Sequence, residues 1–192
     1  AIAEKVGAPV AVLFGIPKQP LYVDPKTKAL TTTPPDATKP NEGRLVEDAL
    51  IAETFKRYLD TKDATWPLLF PMVKGVVRAM DALQAFAKEE LKGDVDKFLI
   101  TGASKRGWTS WLTAASGDKR VKAIAPMVID TLNFPVQMEN QVKAFGKPSE
   151  MIKDYTGRNL VPIPDTSSGK ALWRMVDPFV YKEAITVPKM LI

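Results

Sequence analysis

The chain has 192 residues, 45% of them hydrophobic, enough to bury the core of one globular domain. Its 27 Lys and Arg stand against 22 Asp and Glu, a mild and dispersed +5 without a basic block or aromatic interleaving, which argues against a nucleic-acid surface. The absence of both cysteine and histidine removes disulfides, thiol catalysis, the usual metal ligands and the usual general base, and no metal or other cofactor is expected.

In chain order, residues 9–15 (Pro-Val-Ala-Val-Leu-Phe-Gly) form a nearly continuous apolar run, the pattern of a strand buried on both faces. A proline-bounded loop follows at 16–20, and residues 31–40, with three prolines and three consecutive threonines, form an exposed connection. From about 44 to 59 the residues Leu45, Ala49, Ala52, Phe55 and Leu59 keep helical spacing, with Glu47 and Asp48 placed to suit the helix dipole. A second helix is predicted from Thr65, with Pro67 in its first turn, a stripe from Leu69 through Met72, Val76 and Met80 to Phe86, and Gly93 as its stop.

The stretch 97–107 organises the rest. An apolar strand runs into Ser104, after which Trp108, Trp111, Leu112 and Ala115 fall at i, i+3, i+4 and i+7, the spacing of a buried helix face. A serine on a strand-to-helix turn, with Gly102 two positions before it, matches the nucleophile elbow, although Arg106 replaces the usual glycine and Gly107 comes one position late. A helix-capping serine fits the same residues.

Residues 121–129 read as the next buried strand, ending at Asp130; 131–145 continue as loop and helix; 155–170 form a long, lid-like excursion. Residues 189–192 resemble a strand cut off at its start. Alternating strands and helices predict an α/β class with a doubly wound, mostly parallel sheet, which would place Ser104 and Asp130 together beyond the strand ends.

Nucleophilic attack by Ser104 would use the Lys105 backbone N–H as an oxyanion donor. Lys105 and Arg106 oppose the helix dipole and call for an anion, either a bound substrate held by Arg106 or a structural carboxylate such as Asp130. Asp130 could alternatively serve as a catalytic acid or orient a base. Since the chain has no histidine, either the base lies outside it, a Lys or Asp replaces it, or Ser104 does not catalyse.

Glu47-Asp48-Ala49-Leu50-Ile51-Ala52, Trp66-Pro67 with Pro71-Met72-Val73-Lys74, Arg78-Ala79-Met80-Asp81, Gly102-Ala103-Ser104-Lys105-Arg106-Gly107-Trp108-Thr109 and Ala125-Pro126-Met127-Val128-Ile129-Asp130 together resemble the PhoPQ-activated pathogenicity-related protein family, which includes autocrine proliferation repressor-like members. The resemblance implies an α/β-hydrolase type of fold. This chain would then be a single partial domain over 1–192, a central fragment lacking N-terminal strands and the C-terminal strand and histidine loop. It also implies a serine hydrolase, cleaving an ester or amide through a Ser104 acyl-enzyme, linked to virulence or stress response. A periplasmic or secreted placement follows from the same likeness. The alternative is a non-catalytic signalling or interaction protein of the repressor type. No membrane span is expected, and the substrate is undefined.

Overall fold

The computed structural model describes residues 2–129 and 132–192. Five helices of ten residues or more carry the packing: α2 (Glu47–Thr61), α3 (Leu69–Glu89), α4 (Lys105–Ala115), α5 (Phe134–Phe145) and α7 (Ser167–Val176). Short helices α1 (Ile2–Val6) and α6 (Lys153–Thr156) and two 3-10 turns, Glu150–Ile152 and Pro178–Tyr181, complete the helical set among the described residues.

Among the described residues the strands form two separate small sheets. Strands β1 (Leu21–Val23), β2 (Leu30–Thr31) and β3 (Arg44–Leu45) make an antiparallel sheet in the order β2-β1-β3. Strands β4 (Phe98–Ala103) and β5 (Val121–Met127) make a parallel pair with Ile100 opposite Ile124. This mixed arrangement overturns the expected doubly wound, mostly parallel sheet of α/β-hydrolase type. Two physical reasons account for the difference. Among the described residues the apolar run at 9–14 pairs with no strand, and it lies open, with Val12 68% and Phe14 84% exposed. The chain from 21 to 45 turns back on itself instead of crossing over: Asp24 Oδ1 accepts the N–H groups of Lys26 and Thr27, both at 2.8 Å, and so closes the tight turn between β1 and β2.

The C-terminal residues do run as an extended segment beside β5. Ile124 N–H donates to the Pro188 carbonyl at 3.0 Å and Met190 N–H donates to the Ile124 carbonyl at 3.0 Å. Among the described residues no helix is long and apolar enough to cross a membrane.

Helix α4 is the hinge of the packing because its apolar stripe is broad enough to face two ways. Trp108 and Leu112 enter a main core with Ile51, Phe55, Leu172 and Trp173. Trp111 and Ala114 enter a second core with Met80, Val121, Ile124 and Ile185. Hydroxyls buried along this helix are satisfied internally: Thr109 Oγ1 donates to the Lys105 carbonyl at 2.9 Å and Thr113 Oγ1 to the Thr109 carbonyl at 2.7 Å. The main core also takes in Tyr155, Leu160 and Val161 from the 155–170 stretch. Helix α3 begins at Leu69 and not near Thr65, whose hydroxyl instead donates to Asp63 Oδ1 at 2.7 Å.

The buried Asp177 ties the C-terminal helices to α5. Its carboxylate accepts from the Phe134 N–H at 2.8 Å, the Asn133 N–H at 3.2 Å and the Phe179 N–H at 2.9 Å. One side chain thereby serves the first turns of two elements.

Candidate functional site

Ser104 stands between β4 and α4 with φ 53° and ψ −123°. A non-glycine residue in that region costs on the order of 1–3 kcal/mol and persists only where the surroundings hold it. Here its N–H donates to the Met127 carbonyl at the end of β5, and its own carbonyl accepts the Trp108 N–H, both at 2.9 Å. Its side chain makes no capping bond to α4, so the capping reading does not account for it.

Both nearby glycines are required by close approach. A Cβ on Gly102 would lie 2.6 Å from the Arg106 Cβ, and one on Gly107 would lie 2.4 Å from the Ile129 Cγ2. The glycine that seemed one place late in the sequence is thus the one that lets α4 pass against Ile129 and the ends of the strands.

The two cations after Ser104 are neutralised from within. The Arg106 guanidinium grips Glu47 in bidentate fashion, Nη1 to Oε2 at 2.7 Å and Nη2 to Oε1 at 3.0 Å, and its Nε donates to the Ile16 carbonyl at 3.1 Å. The Lys105 ammonium, with a side chain only 6% exposed, lies 2.7 Å from Glu47 Oε2 and 3.2 Å from Asp48 Oδ2. Gln19 closes the group: its Nε2 donates to Glu47 Oε1 in a short contact, and its Oε1 accepts the Glu47 N–H at 2.7 Å. Tyr155 Oη donates to Asp48 Oδ1 at 3.1 Å. The first turns of α2 and α4 therefore meet, anions of one against cations of the other. This resolves the conflict of Lys105 and Arg106 with the dipole of α4.

These contacts set the protonation states. Hydrogen bonds from Arg106, opposed by partial burial and helped by Lys105 and Gln19, hold the Glu47 carboxyl well below the ordinary glutamate range. Glu47 in turn raises the Arg106 guanidinium. Burial first, and the Asp48 charge second, raise the Tyr155 hydroxyl well above its usual value, so it remains a donor.

A depressed folded value means that Glu47 stabilises the fold fully above its unfolded pKa of about 4.3, and that this contribution is lost as pH falls through the lower folded value. Glu47→Gln is therefore expected to lower the melting temperature at pH 7 and to flatten its decline in acid. Melting curves of both proteins from neutral pH downward check this; parallel pH profiles would count against it.

Of the residues singled out in the sequence, the structure brings Lys105 and Arg106 onto one ion-pair group directly after Ser104. Lys105 is the first residue of α4, where backbone N–H groups have no acceptor within the helix. Asp130 lies outside the described residues. Sequence reasoning gave Gln19 and Tyr155 no role at the site, and saw Glu47 and Asp48 as helix-dipole residues and as part of a family motif, not as the partners of Lys105 and Arg106. The usable signal was the unexplained cation pair at one helix start and the acid pair at another. Among the described residues, no group of three or more His, Cys, Asp or Glu is placed to hold a metal ion.

The chain is similar to "Autocrine proliferation repressor protein A" of Dictyostelium discoideum, with 40% identity over 143 residues. The match takes in 74% of this chain and 28% of that protein, so the chain spans well under a third of its relative's length. No solved structure matches the chain. A relative named as a repressor, together with a chain that has no histidine to complete a triad, corrects the expectation of a virulence-linked serine hydrolase working through a Ser104 acyl-enzyme. The family model described as PhoPQ-activated pathogenicity-related protein matches residues 1–192. On that full-length match, the chain belongs to the PhoPQ-activated pathogenicity-related protein family.

Proposed function

We propose that this chain acts by binding and not by catalysis, as part of a signalling or interaction protein of the proliferation-repressor kind. The observation that carries the reading is the closed ion-pair group after Ser104. Arg106 is spent on Glu47 in bidentate geometry, and Lys105 is buried against Glu47 and Asp48, so the turn is built as a joint between helices. Arg106 is the residue the sequence offered for binding an anionic substrate, and its guanidinium already has a carboxylate. The name of the Dictyostelium relative supports the same direction. The periplasmic or secreted placement implied by the family resemblance belongs to this proposal as well.

The test uses the purified protein added to dividing cells of the organism that makes it. A lengthened doubling time that is unchanged in Ser104→Ala, with no covalent labelling of either protein by a fluorophosphonate, is the expected result. Labelling of Ser104 together with loss of the growth effect in Ser104→Ala would overturn the proposal.

A further inference from the structure

Two helix-starting residues share a left-handed backbone: Glu47, the first residue of α2, and Ser104, the residue before α4, both at φ 53°. Neither is a glycine, and neither conformation is favoured locally. They are joined through side chains. The two residues immediately after Ser104 both end on the Glu47 carboxylate, Arg106 through two hydrogen bonds and Lys105 through one ion pair. The backbone of Glu47 is itself held on the other side, because Gln19 accepts its N–H while donating to its carboxylate.

We propose that Glu47 is a positioning residue, a catch that holds the Ser104 turn in its strained form by drawing the first turn of α4 onto α2. Without the carboxylate, the Lys105 ammonium and Arg106 guanidinium, which both lie 2.7 Å from Glu47 Oε2, repel each other and oppose the α4 dipole, so the first turn of the helix moves outward. Ser104 is then free to leave its left-handed conformation. The Ser104–Met127 and Trp108–Ser104 backbone hydrogen bonds, the two that define the turn, are the first to open. Asp48 does not replace the catch, since of the two cations it pairs with Lys105, at 3.2 Å, while its other oxygen accepts from Tyr155. A glycine at 104 would need no catch, because it adopts positive φ without steric cost.

The experiment is amide hydrogen exchange on the whole chain, read at the Ser104 and Trp108 N–H groups with the amides of α3 as an internal reference. Glu47→Gln is expected to speed exchange at the two turn amides by about tenfold relative to α3. In Glu47→Gln combined with Ser104→Gly, the increase should shrink to less than about threefold, since the strain that drives opening is gone. Rescue by a glycine at 104 is a response that simple loss of an ion pair would not give. Ser104→Gly alone provides the second measurement: with the catch intact, it is expected to slow exchange of the same two amides. Uniform acceleration across α3 and the turn, no rescue in the double variant, or no slowing in Ser104→Gly would each overturn the proposal.

Discussion

Phe55→Ala is expected to lower stability by about 3–5 kcal/mol, the range for removing a large aromatic from a packed core. The side chain is fully buried, and its ring meets three others: Trp173 at 5.9 Å and Trp108 at 6.0 Å, both edge-on at 83°, and Tyr155 at 6.2 Å. These partners come from α4, α6 and α7, so truncation opens a cavity where several elements converge, and no one of them can collapse into it alone. Phe86, near the end of α3, provides the comparison: it is 52% exposed, and Phe86→Ala should change stability little. Urea denaturation of the two variants gives the test. A Phe55→Ala loss no larger than that of Phe86→Ala would contradict this account of the core.

Gly107→Ala is the second large effect, for the opposite reason. The added methyl carbon would sit 2.4 Å from the Ile129 Cγ2, 2.9 Å from the Gly102 carbonyl oxygen and 3.0 Å from the Met127 carbonyl oxygen. A side-chain methyl can swing away, but two backbone carbonyls cannot without moving β4 or β5. The expected cost reaches or exceeds the roughly 1–3 kcal/mol typical of overpacking. Gly117→Ala isolates the other cost of replacing glycine: its φ is +76° and nothing lies within 4 Å, so only backbone strain of about 1 kcal/mol applies. In an Ile129→Ala background, which removes that Cγ2, only part of the Gly107→Ala cost should disappear, because the carbonyls remain. Full restoration would show that the methyl contact alone was responsible.

The strand, turn and helix around Ser104 were legible in the sequence because the pattern that marks them is local. An apolar run precedes the serine, and the helical spacing of Trp108, Trp111, Leu112 and Ala115 follows within eleven residues; both tryptophans are buried as expected, at 5% and 4% exposure. Strand pairing is a different matter. Residues 9–14 have the composition of a buried strand, but composition cannot say whether another strand presents its edge, and here none does among the described residues. The parallel pair β4-β5 was visible, whereas the antiparallel sheet from 21 to 45 was hidden in strands only two or three residues long, too short for an alternation to register. The ion-pair group was illegible for a similar reason: Arg106 and Glu47 are 59 positions apart, and Tyr155 and Asp48 are 107 apart. The conflict at the start of α4 announced that a partner was needed, and only the fold could name it.

The division of α4 between two cores gives the molecule a pair of internal optical reporters. Trp108 is stacked nearly parallel to Trp173, at 6.2 Å and 7°, and Trp173 lies in turn on Phe134 at 4.1 Å, so absorption and emission from the main core arise from coupled rings. Trp111 lies apart from that stack, in the second core, three residues along the same helix. With Trp111→Phe, the remaining buried indole signal follows the main core; with Trp108→Phe and Trp173→Phe together, it follows the core behind the parallel strands. Because the four tryptophans include only one other, Trp66, which is half-buried under the Arg57 guanidinium, fluorescence can follow the loosening of each core separately along a single denaturation curve.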